Sequence, residues 1–231
     1  MSIILAISGG SIQSTHSLNL KAIDLTHKKN PSVLFVPTAT HDEEGYVSYM
    51  KKYYEDLGCS FDSLLVSSQK LNYDAIQKKF ESADLIYFGG GDTEYMIQTW
   101  KQAGVDKAIL KVLPQNKVFT GISAGAAFWF HSDFADTDSF KNPNNWDYRF
   151  VECLGLFPFT FNPHYNESGR EKFDTRIREQ SYSGIAMDND TALIIEGGHA
   201  TVIKSNENAH VYFIDAWKNF YKREITSLEW W

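Results

Sequence analysis

The sequence is poor in cysteine and proline, with 2 and 6 of these residues in a chain of 231. Cys59 and Cys153 are too few for the disulfide framework of a small secreted domain, so two reduced thiols are expected. Neither cysteine belongs to a CxxC pair, and no metal site is expected. No apolar run approaches the roughly 18 residues of a membrane span, and the amino-terminal sequence MSIILAIS lacks the basic start of a signal peptide. These absences predict a cytoplasmic protein with no membrane partner.

Positive charge is also scarce, because 22 Lys and Arg residues stand against 29 Asp and Glu, for a net charge of -7 at pH 7. A protein that binds nucleic acid needs an excess of basic residues to neutralise phosphates, so no such partner is expected. The chain is long enough to bury a substantial core, and it contains no repeat and no low-complexity linker. Residues 1–231 are therefore predicted to form a single domain.

Short apolar segments alternate with helical patterns through the first half of the chain. Buried strands are predicted at 2–7, 32–36, 61–66 and 84–88 and from residue 118. Because each segment is apolar throughout, we expect a mostly parallel sheet with helices on both faces, in an α/β fold. Ligands in such folds gather at the carboxyl ends of the strands, so the turns at Ser8, Gly89 and Ser123 should share one rim.

The second half of the chain has a different residue pattern. Residues 131–149 contain several Asp and Asn residues and predict a long irregular excursion. A strand is then predicted at 155–161, and short strands at 184–187, 191–196, 200–203 and 211–214, joined by Asp-Asn-Asp and Gly-Gly turns. This pattern predicts a carboxyl-terminal antiparallel extension of the same domain.

The central motif of the chain is G-I-S-A-G at residues 121–125, which fits the G-x-S-x-G nucleophile elbow. An apolar segment precedes it, and small and then apolar residues follow it as they would in a helix. In such an elbow Ser123 occupies a sharp turn in which flanking glycines avoid collisions. The pattern also arises by chance, so a plain tight turn with a capping serine is the alternative.

A serine hydroxyl needs a base that accepts its proton during attack, and the chain has 7 histidines. His164 follows an apolar strand and comes directly after Pro163, which fixes the backbone near the rim that holds Ser123. A loop histidine bound to neighbouring carbonyls is the alternative for His164. The other histidines occupy loops, helix ends and turns, namely His16, His27, His41, His131, His199 and His210.

An acyl-transfer site also needs donors for the developing oxyanion. The N–H of Ala124 follows the nucleophile at a helix start, and Gly90 or Gly91 offers a second bare amide. The same glycine turn would suit a phosphate. However, Asp92 stands where a phosphate-binding loop continues to its lysine, and its carboxylate would repel phosphate, which favours an oxyanion hole.

Four motifs, F-G-G-G-D-T, G-I-S-A-G-A, F-N-P-H-Y and G-I-A-M-D-N-D-T-A-L, occur in that order along nearly the whole chain. Together they resemble the S51 serine peptidases, which include dipeptidase E and cyanophycinase. The resemblance implies a class I glutamine-amidotransferase-like (flavodoxin-like) α/β fold and hydrolysis of peptides linked through acidic residues. It also implies that Ser123 is the nucleophile, His164 the general base, and Gly91 with Ala124 the oxyanion hole.

The first departure from the family pattern concerns the third member of the triad. The family has a glutamate where this chain has Asn189, which is flanked by Asp188 and Asp190. An asparagine orients an imidazole but does not stabilise the imidazolium by charge. Either a flanking aspartate takes this role, or Asp138 does, since it matches an aspartate that is also implicated in the family.

The second departure concerns substrate preference. Dipeptidase E has an arginine that would pair with the aspartyl carboxylate of its substrate, and the alignment places Phe173 there. A phenylalanine has no group that pairs with a carboxylate. The candidates for substrate binding are Arg170, Phe173 and Arg176, and the alternative for the two arginines is an ordinary solvated helix face. A preference for acidic residues therefore does not transfer with the resemblance.

The leading hypothesis is a cytoplasmic serine peptidase that cleaves short peptides through an acyl-enzyme, without metal or cofactor, as a monomer or homodimer. A binding protein on the same scaffold, inactive because of Asn189, is one alternative. A hydrolase of esters or amides other than peptides is another.

Overall fold

The computed structural model describes residues 2–215 and 220–230, which form an α/β fold with two mixed sheets. The strands are β1 (Ile3–Ile7), β2 (Ser32–Val36), β3 (Ser60–Ser63), β4 (Leu85–Phe88), β5 (Val118–Ile122), β6 (Phe130–Ala135), β7 (Arg149–Glu152), β8 (Phe157–Asn162), β9 (Gly184–Met187), β10 (Thr191–Glu196), β11 (His199–Lys204), β12 (Val211–Asp215), β13 (Tyr221–Glu224) and β14 (Ser227–Glu229). The helices are α1 (His16–Asp24), α2 (Glu44–Asp56), α3 (Tyr73–Ser82), α4 (Thr93–Ala103), α5 (Val105–Val112), α6 (Ala124–Ala127) and α7 (Phe173–Arg176). Single 3-10 turns occur at Thr38–Thr40, Thr137–Phe140, Arg170–Lys172 and Ile177–Glu179.

The larger sheet has eight strands in the order β14-β11-β10-β1-β5-β4-β2-β3. The strands from β1 to β3 in this order are parallel, whereas β10, β11 and β14 join antiparallel beyond β1. The predicted parallel sheet with an antiparallel extension is thus present in this layer. Because the strands β1, β4 and β5 are central and parallel, their carboxyl ends and the loops that follow them meet at one rim.

Helices cover both faces of the larger sheet. On one face Leu18 of α1 and Met50 and Tyr54 of α2 are buried against β1, β2 and β4. On the other face α3, α4 and α5 bury side chains that include Phe80 and Trp100. Burial on both faces explains why the central strands β1, β2, β4 and β5 are mostly apolar, because their side chains are buried on both sides of the sheet.

A second sheet of six strands, in the order β13-β12-β9-β8-β6-β7, was not predicted. The expectation of an irregular excursion over 131–149 was wrong in its first part, because helix α6 ends at Ala127 and β6 begins at Phe130. The prediction was wrong because β6 contains polar residues, which are more typical of a loop. Ser132 and Asp133 are buried and hydrogen-bond to Thr160 and Thr93, so here they belong to a strand interior.

The two sheets share one core, which is why they keep a fixed relation to each other. Phe157, Phe161 and Ile185 of the smaller sheet belong to the same buried cluster as the side chains beneath the larger sheet. Phe130 and Phe161 stack with their ring centroids 4.4 Å apart. In the described part of the chain no helix combines the length and the apolar character that a membrane span requires. That residues 1–231 form one domain stays a prediction.

Candidate active site

Ser123 is the single residue between strand β5 and helix α6. Its backbone has φ 54° and ψ -119°, a conformation that residues with a side chain rarely adopt. The Ser123 N–H donates to the carbonyl oxygens of Ile7 and Ser8, at 3.1 Å each, and these bonds hold the strained turn against the end of β1. The strand, sharp turn and helix predicted from the motif are therefore present.

The two glycines of the motif are required by close backbone packing. A Cβ on Gly121 would lie 2.0 Å from the carbonyl oxygen of Gly125. A Cβ on Gly125 would lie 2.1 Å from the carbonyl oxygen of Phe88. Neither neighbour is a flexible side chain, so any other residue at these positions would displace the turn that carries Ser123.

His164 lies directly opposite Ser123, with its Nε2 atom 2.8 Å from Oγ of the serine. Its backbone has a positive φ of 55° and is fixed by a bond of 2.9 Å from its N–H to the hydroxyl of Ser8. That buried hydroxyl in turn donates to the carbonyl of Met187 at 2.7 Å. The ends of three strands, β1, β8 and β9, therefore position the imidazole.

Asn189 lies on the other side of the ring, with its Oδ1 atom 2.7 Å from Nδ1 of His164. The side-chain nitrogen of Asn189 donates to Oε1 of Glu167 at 2.8 Å. Because the carboxylate accepts from the amide nitrogen, the amide oxygen must face the imidazole, and Nδ1 must donate to it. This orientation leaves Nε2 without a proton, as an acceptor for the Ser123 hydroxyl.

Glu167 is a residue that the sequence did not single out. Its Oε1 atom is 3.3 Å from Nδ1 of His164, and its N–H donates to the His164 carbonyl at 2.8 Å in a tight turn. The neighbouring His164 imidazole, together with the hydrogen bond from Asn189, lowers the pKa of Glu167 to about 2, against the effect of partial burial. The carboxylate is therefore ionised at neutral pH and places a negative charge beside the imidazole.

Gly9 leaves the space in which His164 and Asn189 meet. A Cβ at this position would lie 2.1 Å from Oδ1 of Asn189 and 2.2 Å from Nδ1 of His164. The hydrogen bond between these two side chains thus runs across the bare face of Gly9. The glycine turn after β1 was predicted to lie on the rim, and this contact gives it a specific role.

The glycine turn after β4 lies against Ser123. A Cβ on Gly90 would be 3.2 Å from Cβ of Ser123, and Gly91 has φ 138° with its backbone against Ala39. Ala124 is the first residue of α6, and the N–H groups of a first helical turn have no acceptor within their own helix. The backbone of this turn and the start of α6 thus both lie next to Ser123.

The structure gives the aspartates proposed for the triad other partners. Asp188 accepts from the N–H of His210 at 2.9 Å, and burial raises its pKa. Asp190 accepts from the hydroxyl of Ser14 at 2.5 Å. Asp138 pairs with Arg149 at 3.2 Å. The group that meets the imidazole is Asn189, with Glu167 behind it.

Phe173 does not face a substrate. Its side chain is 0% exposed and belongs to the cluster with Phe134 and Ile177, under the smaller sheet. The ring also lies against Gly184, where a Cβ would be 2.7 Å away. The expectation that this position contacts substrate was therefore wrong, because the phenylalanine turned inward into the core.

Arg170 and Arg176 are held by the protein itself. Arg170 is 3% exposed, donates to the Phe134 carbonyl and has its Nη2 atom 3.6 Å from Asp136. Arg176 donates to the Tyr148 carbonyl and pairs with Glu179 at 3.2 Å. The notion of an ordinary solvated helix face is wrong for Arg170, which is buried, and neither guanidinium is presented as a free carboxylate clamp.

Three contributors to the site were missed or given no role from sequence: Glu167, Ser8 and Gly9. One feature of the sequence could have indicated Glu167. It is a carboxylate three residues after the candidate base, His164, and so short a segment keeps it near the same rim. Ser8 carried only its position at the end of β1. In the described ranges, no group of three or more His, Cys, Asp or Glu residues is arranged to hold a metal ion.

The chain is similar to known peptidases. Residues 4–203 match Peptidase family S51. The chain is 28% identical over 196 residues to the uncharacterized peptidase YgaJ of Bacillus subtilis, covering 82% of this chain and 81% of that protein. It is 31% identical over 177 residues to the uncharacterized peptidase Lmo0363 of Listeria monocytogenes, covering 72% of this chain and 82% of that protein.

A solved structure shares the fold. The crystal structure of a peptidase from an acI-B1 Actinobacterium superposes with a TM-score of 0.74 at 19% sequence identity, over 100% of this chain and 97% of that one. The sequence match spans most of the chain and includes both the elbow and the strand that leads to the candidate base. The protein is thus a member of peptidase family S51, a family of serine-type peptidases.

Proposed function

We propose that the protein cleaves short peptides through an acyl-enzyme, with Ser123 as nucleophile and His164 as general base. The observation that carries this proposal is the 2.8 Å contact between Oγ of Ser123 and Nε2 of His164, in a site where Nδ1 is already bonded to Asn189. An imidazole held in this tautomer accepts a proton at Nε2 as the serine attacks.

In the first half-reaction Oγ of Ser123 forms a bond to the carbonyl carbon of the peptide, and its proton moves to Nε2 of His164. The carbonyl oxygen becomes an oxyanion, for which the N–H of Ala124 and the N–H of Gly91 or Gly90 are the donors. The C–N bond then breaks, and the imidazolium gives its proton to the leaving amine. The products are an ester on Ser123 and a free amino group.

In the second half-reaction water attacks the ester carbonyl and gives a proton to Nε2 of His164. The C–O bond to Ser123 breaks, and the proton returns to its hydroxyl oxygen. The same donors stabilise the second oxyanion. No cofactor takes part in either half-reaction as we propose it.

Glu167 and Asn189 divide the work that one carboxylate does in a Ser-His-Asp triad. Asn189 accepts the Nδ1 hydrogen bond and fixes the tautomer, whereas Glu167 fixes the amide orientation and supplies negative charge 3.3 Å from Nδ1. An imidazolium that forms during catalysis is stabilised by this charge. Replacement of a family glutamate by Asn189 therefore does not remove the anion from the site.

Three finer assignments accompany the proposal. A cytoplasmic setting is supported by Cys59 and Cys153, which are both buried and free. The class I glutamine-amidotransferase-like variant of the α/β fold is supported by the parallel strands with a nucleophile after β5. A monomer or homodimer stays a prediction from the sequence.

The test combines labelling with turnover. A fluorophosphonate should label Ser123 in the wild-type protein, and the Ser123→Ala variant should take up no label and lose at least about 10³-fold in kcat/KM on a panel of short peptides. Ser60→Ala, which removes an exposed hydroxyl at the start of β3, is the matched control and should retain both properties.

Two outcomes would contradict the proposal. A wild-type protein that takes up no label would favour a binding protein on this scaffold. A protein whose Ser123 reacts and turns over esters or simple amides, but cleaves no peptide, would favour a hydrolase with another substrate class.

A further inference from the structure

A cavity of about 310 Å³ opens beside the nucleophile, between the end of β1 and helix α2. We call it the tyrosine pocket, since Tyr46, Tyr49 and Tyr87 line it together with Ile122 and Gly10. Ile122 is the residue before Ser123, and Gly10 follows the glycine that packs against His164 and Asn189. The lining of the pocket therefore includes the direct chain neighbours of Ser123 and of Gly9.

Every residue that lines the tyrosine pocket is uncharged. The polar groups of the lining include the amide of Gln13, which donates to the hydroxyl of Tyr49 at 2.9 Å. Burial raises the pKa of Tyr46 to about 12 and that of Tyr87 well above its usual range. These phenols stay neutral at physiological pH, so the lining carries no charge of either sign.

The rings of the pocket are held in place from behind. Phe35, which is fully buried, contacts Tyr46 edge to face with the centroids 4.9 Å apart, and it contacts Tyr87 at 5.8 Å. Met50, at 1% exposure, closes one wall. A pocket with a fixed aromatic lining favours an apolar or aromatic guest, because edge-to-face contacts add to the gain from removing apolar surface from water.

The charges around the pocket disfavour an acidic guest. Asp190 is the carboxylate next to its Gly10 wall, since a Cβ on that glycine would lie 2.3 Å from Oδ1 of Asp190. Arg170 and Arg176, the cations considered for carboxylate binding, donate to the carbonyls of Phe134 and Tyr148 and do not line the pocket. A carboxylate in the tyrosine pocket would lose water and gain no cation in return.

We propose that the tyrosine pocket binds a neutral apolar or aromatic side chain of the residue whose carbonyl carbon Ser123 attacks. The substrates are then short peptides cleaved after residues such as phenylalanine or leucine, and not after aspartate. This inference rests on the proposed function, because it names the substrate class of the same site.

The experiment measures kcat/KM for a set of short peptides that differ only in this residue, which is phenylalanine, leucine, glycine, aspartate or lysine. The phenylalanine and leucine peptides should be cleaved at least tenfold more efficiently than the aspartate and lysine peptides. Equal cleavage of all the peptides, or a preference for aspartate or lysine, would overturn the inference.

Two variants locate the preference in the pocket. Ile12→Trp narrows the pocket and should lower the ratio of kcat/KM for the phenylalanine peptide to kcat/KM for the glycine peptide at least tenfold. Leu20→Trp, on an exposed part of α1, is the control and should leave this ratio unchanged. Gln13→Arg adds a cation to the lining and should raise aspartate cleavage relative to phenylalanine cleavage at least fivefold. The inference would be overturned if neither variant changed its ratio of cleavage efficiencies.

Fluorophosphonate labelling keeps the two proposals apart. If Ser123 is labelled and peptides are cleaved, but the preference does not depend on Ile12 or Gln13, the tyrosine pocket is not the specificity site and the serine mechanism stands. If Ser123 takes up no label and no peptide is cleaved, the proposed function fails and the inference about the pocket fails with it.

Discussion

The side-chain amide of Asn189 donates to the carboxylate of Glu167 at 2.8 Å, on the side of His164 that faces away from the nucleophile. This single bond decides which way the amide points, and the amide decides which nitrogen of the imidazole carries the proton. In the proposed mechanism Glu167 therefore acts through two properties, its capacity to accept a hydrogen bond and its charge. Replacements that separate these properties are informative.

Glu167→Gln retains an acceptor for the Asn189 amide and removes the charge. At 3.3 Å from Nδ1, and with the side chain 53% exposed, the charge is worth about 1–2 kcal/mol to an imidazolium, or about tenfold in kcat. We expect kcat to fall by about that factor with little change in KM. The acid limb of the kcat/KM profile should move to lower pH, because loss of the anion makes the base easier to deprotonate.

The control for this variant is Glu179→Gln, which removes a carboxylate from a surface pair with Arg176. It should leave both kcat and the pH profile unchanged. An acid limb that stays in place in Glu167→Gln would show that the carboxylate holds the loop and does not act on the imidazole by charge.

The second prediction moves the charge to its neighbour. In the double variant Glu167→Gln, Asn189→Asp, the aspartate accepts the Nδ1 hydrogen bond directly and carries the charge itself. Activity should recover relative to Glu167→Gln alone. The single variant Asn189→Asp retains Glu167 and so places two carboxylates beside one another. Because the two charges repel, this variant should be less active than the double variant, and the difference should be largest at low ionic strength. A full mutant cycle in kcat/KM measures the coupling, and additive effects would contradict it.

Much of the site could be predicted because its parts are local. The G-I-S-A-G motif fixes a strand, a sharp turn and a helix within a few residues, and Ser123 has the strained backbone that the motif predicts. Pro163 and His164 follow strand β8, which points to the same rim, and Asn189 lies in the turn after the next strand, β9. Position at a strand end was enough to bring these residues together.

The rest depended on contacts that no local pattern encodes. Phe173 matches a substrate-binding position by alignment, yet its hydrophobicity places it in the core with Phe134. Strand β6 was missed because Ser132 and Asp133 read as loop residues, and their buried partners come from distant segments. Glu167 was missed because its importance depends on the side chain that happens to fill the family glutamate position.

The third prediction concerns Gly9. In Gly9→Ala the new methyl group would lie where Oδ1 of Asn189 and Nδ1 of His164 meet, at 2.1 Å and 2.2 Å. We expect kcat/KM to fall at least about 100-fold, as for a triad that has lost its orienting group. Gly45→Ala on helix α2, where the methyl meets the flexible end of Glu43, is the control and should remain active. Circular dichroism and thermal unfolding check that both variants fold, and a fully active Gly9→Ala would contradict the assigned geometry.

The last prediction concerns stability, at Asp133 beneath the site. The Asp133 side chain is 2% exposed. Its Oδ2 atom accepts a hydrogen bond of 2.7 Å from the Thr93 hydroxyl. Its Oδ1 atom has no hydrogen-bond partner among the described residues. Burial raises its pKa from 3.8 to about 6. The native state therefore holds a proton that the unfolded chain releases, and the free energy of unfolding falls as the pH rises from about 4 to about 6.

Asp133→Asn removes this titration while an amide oxygen still accepts from Thr93. The rise of the Asp133 pKa from 3.8 to about 6 corresponds to about 3 kcal/mol. The free energy of unfolding of the variant, relative to that of the wild type, should therefore rise by up to about this amount between pH 4 and pH 7. Urea titrations at the two pH values measure it, with Asp24→Asn, at a site whose side chain is 70% exposed, as the control. If the difference in unfolding free energy between variant and wild type stays constant with pH, the Asp133 carboxyl is already ionised in the folded protein at pH 4. The positive charge of Arg170, which lowers the Asp133 pKa, then compensates the carboxylate.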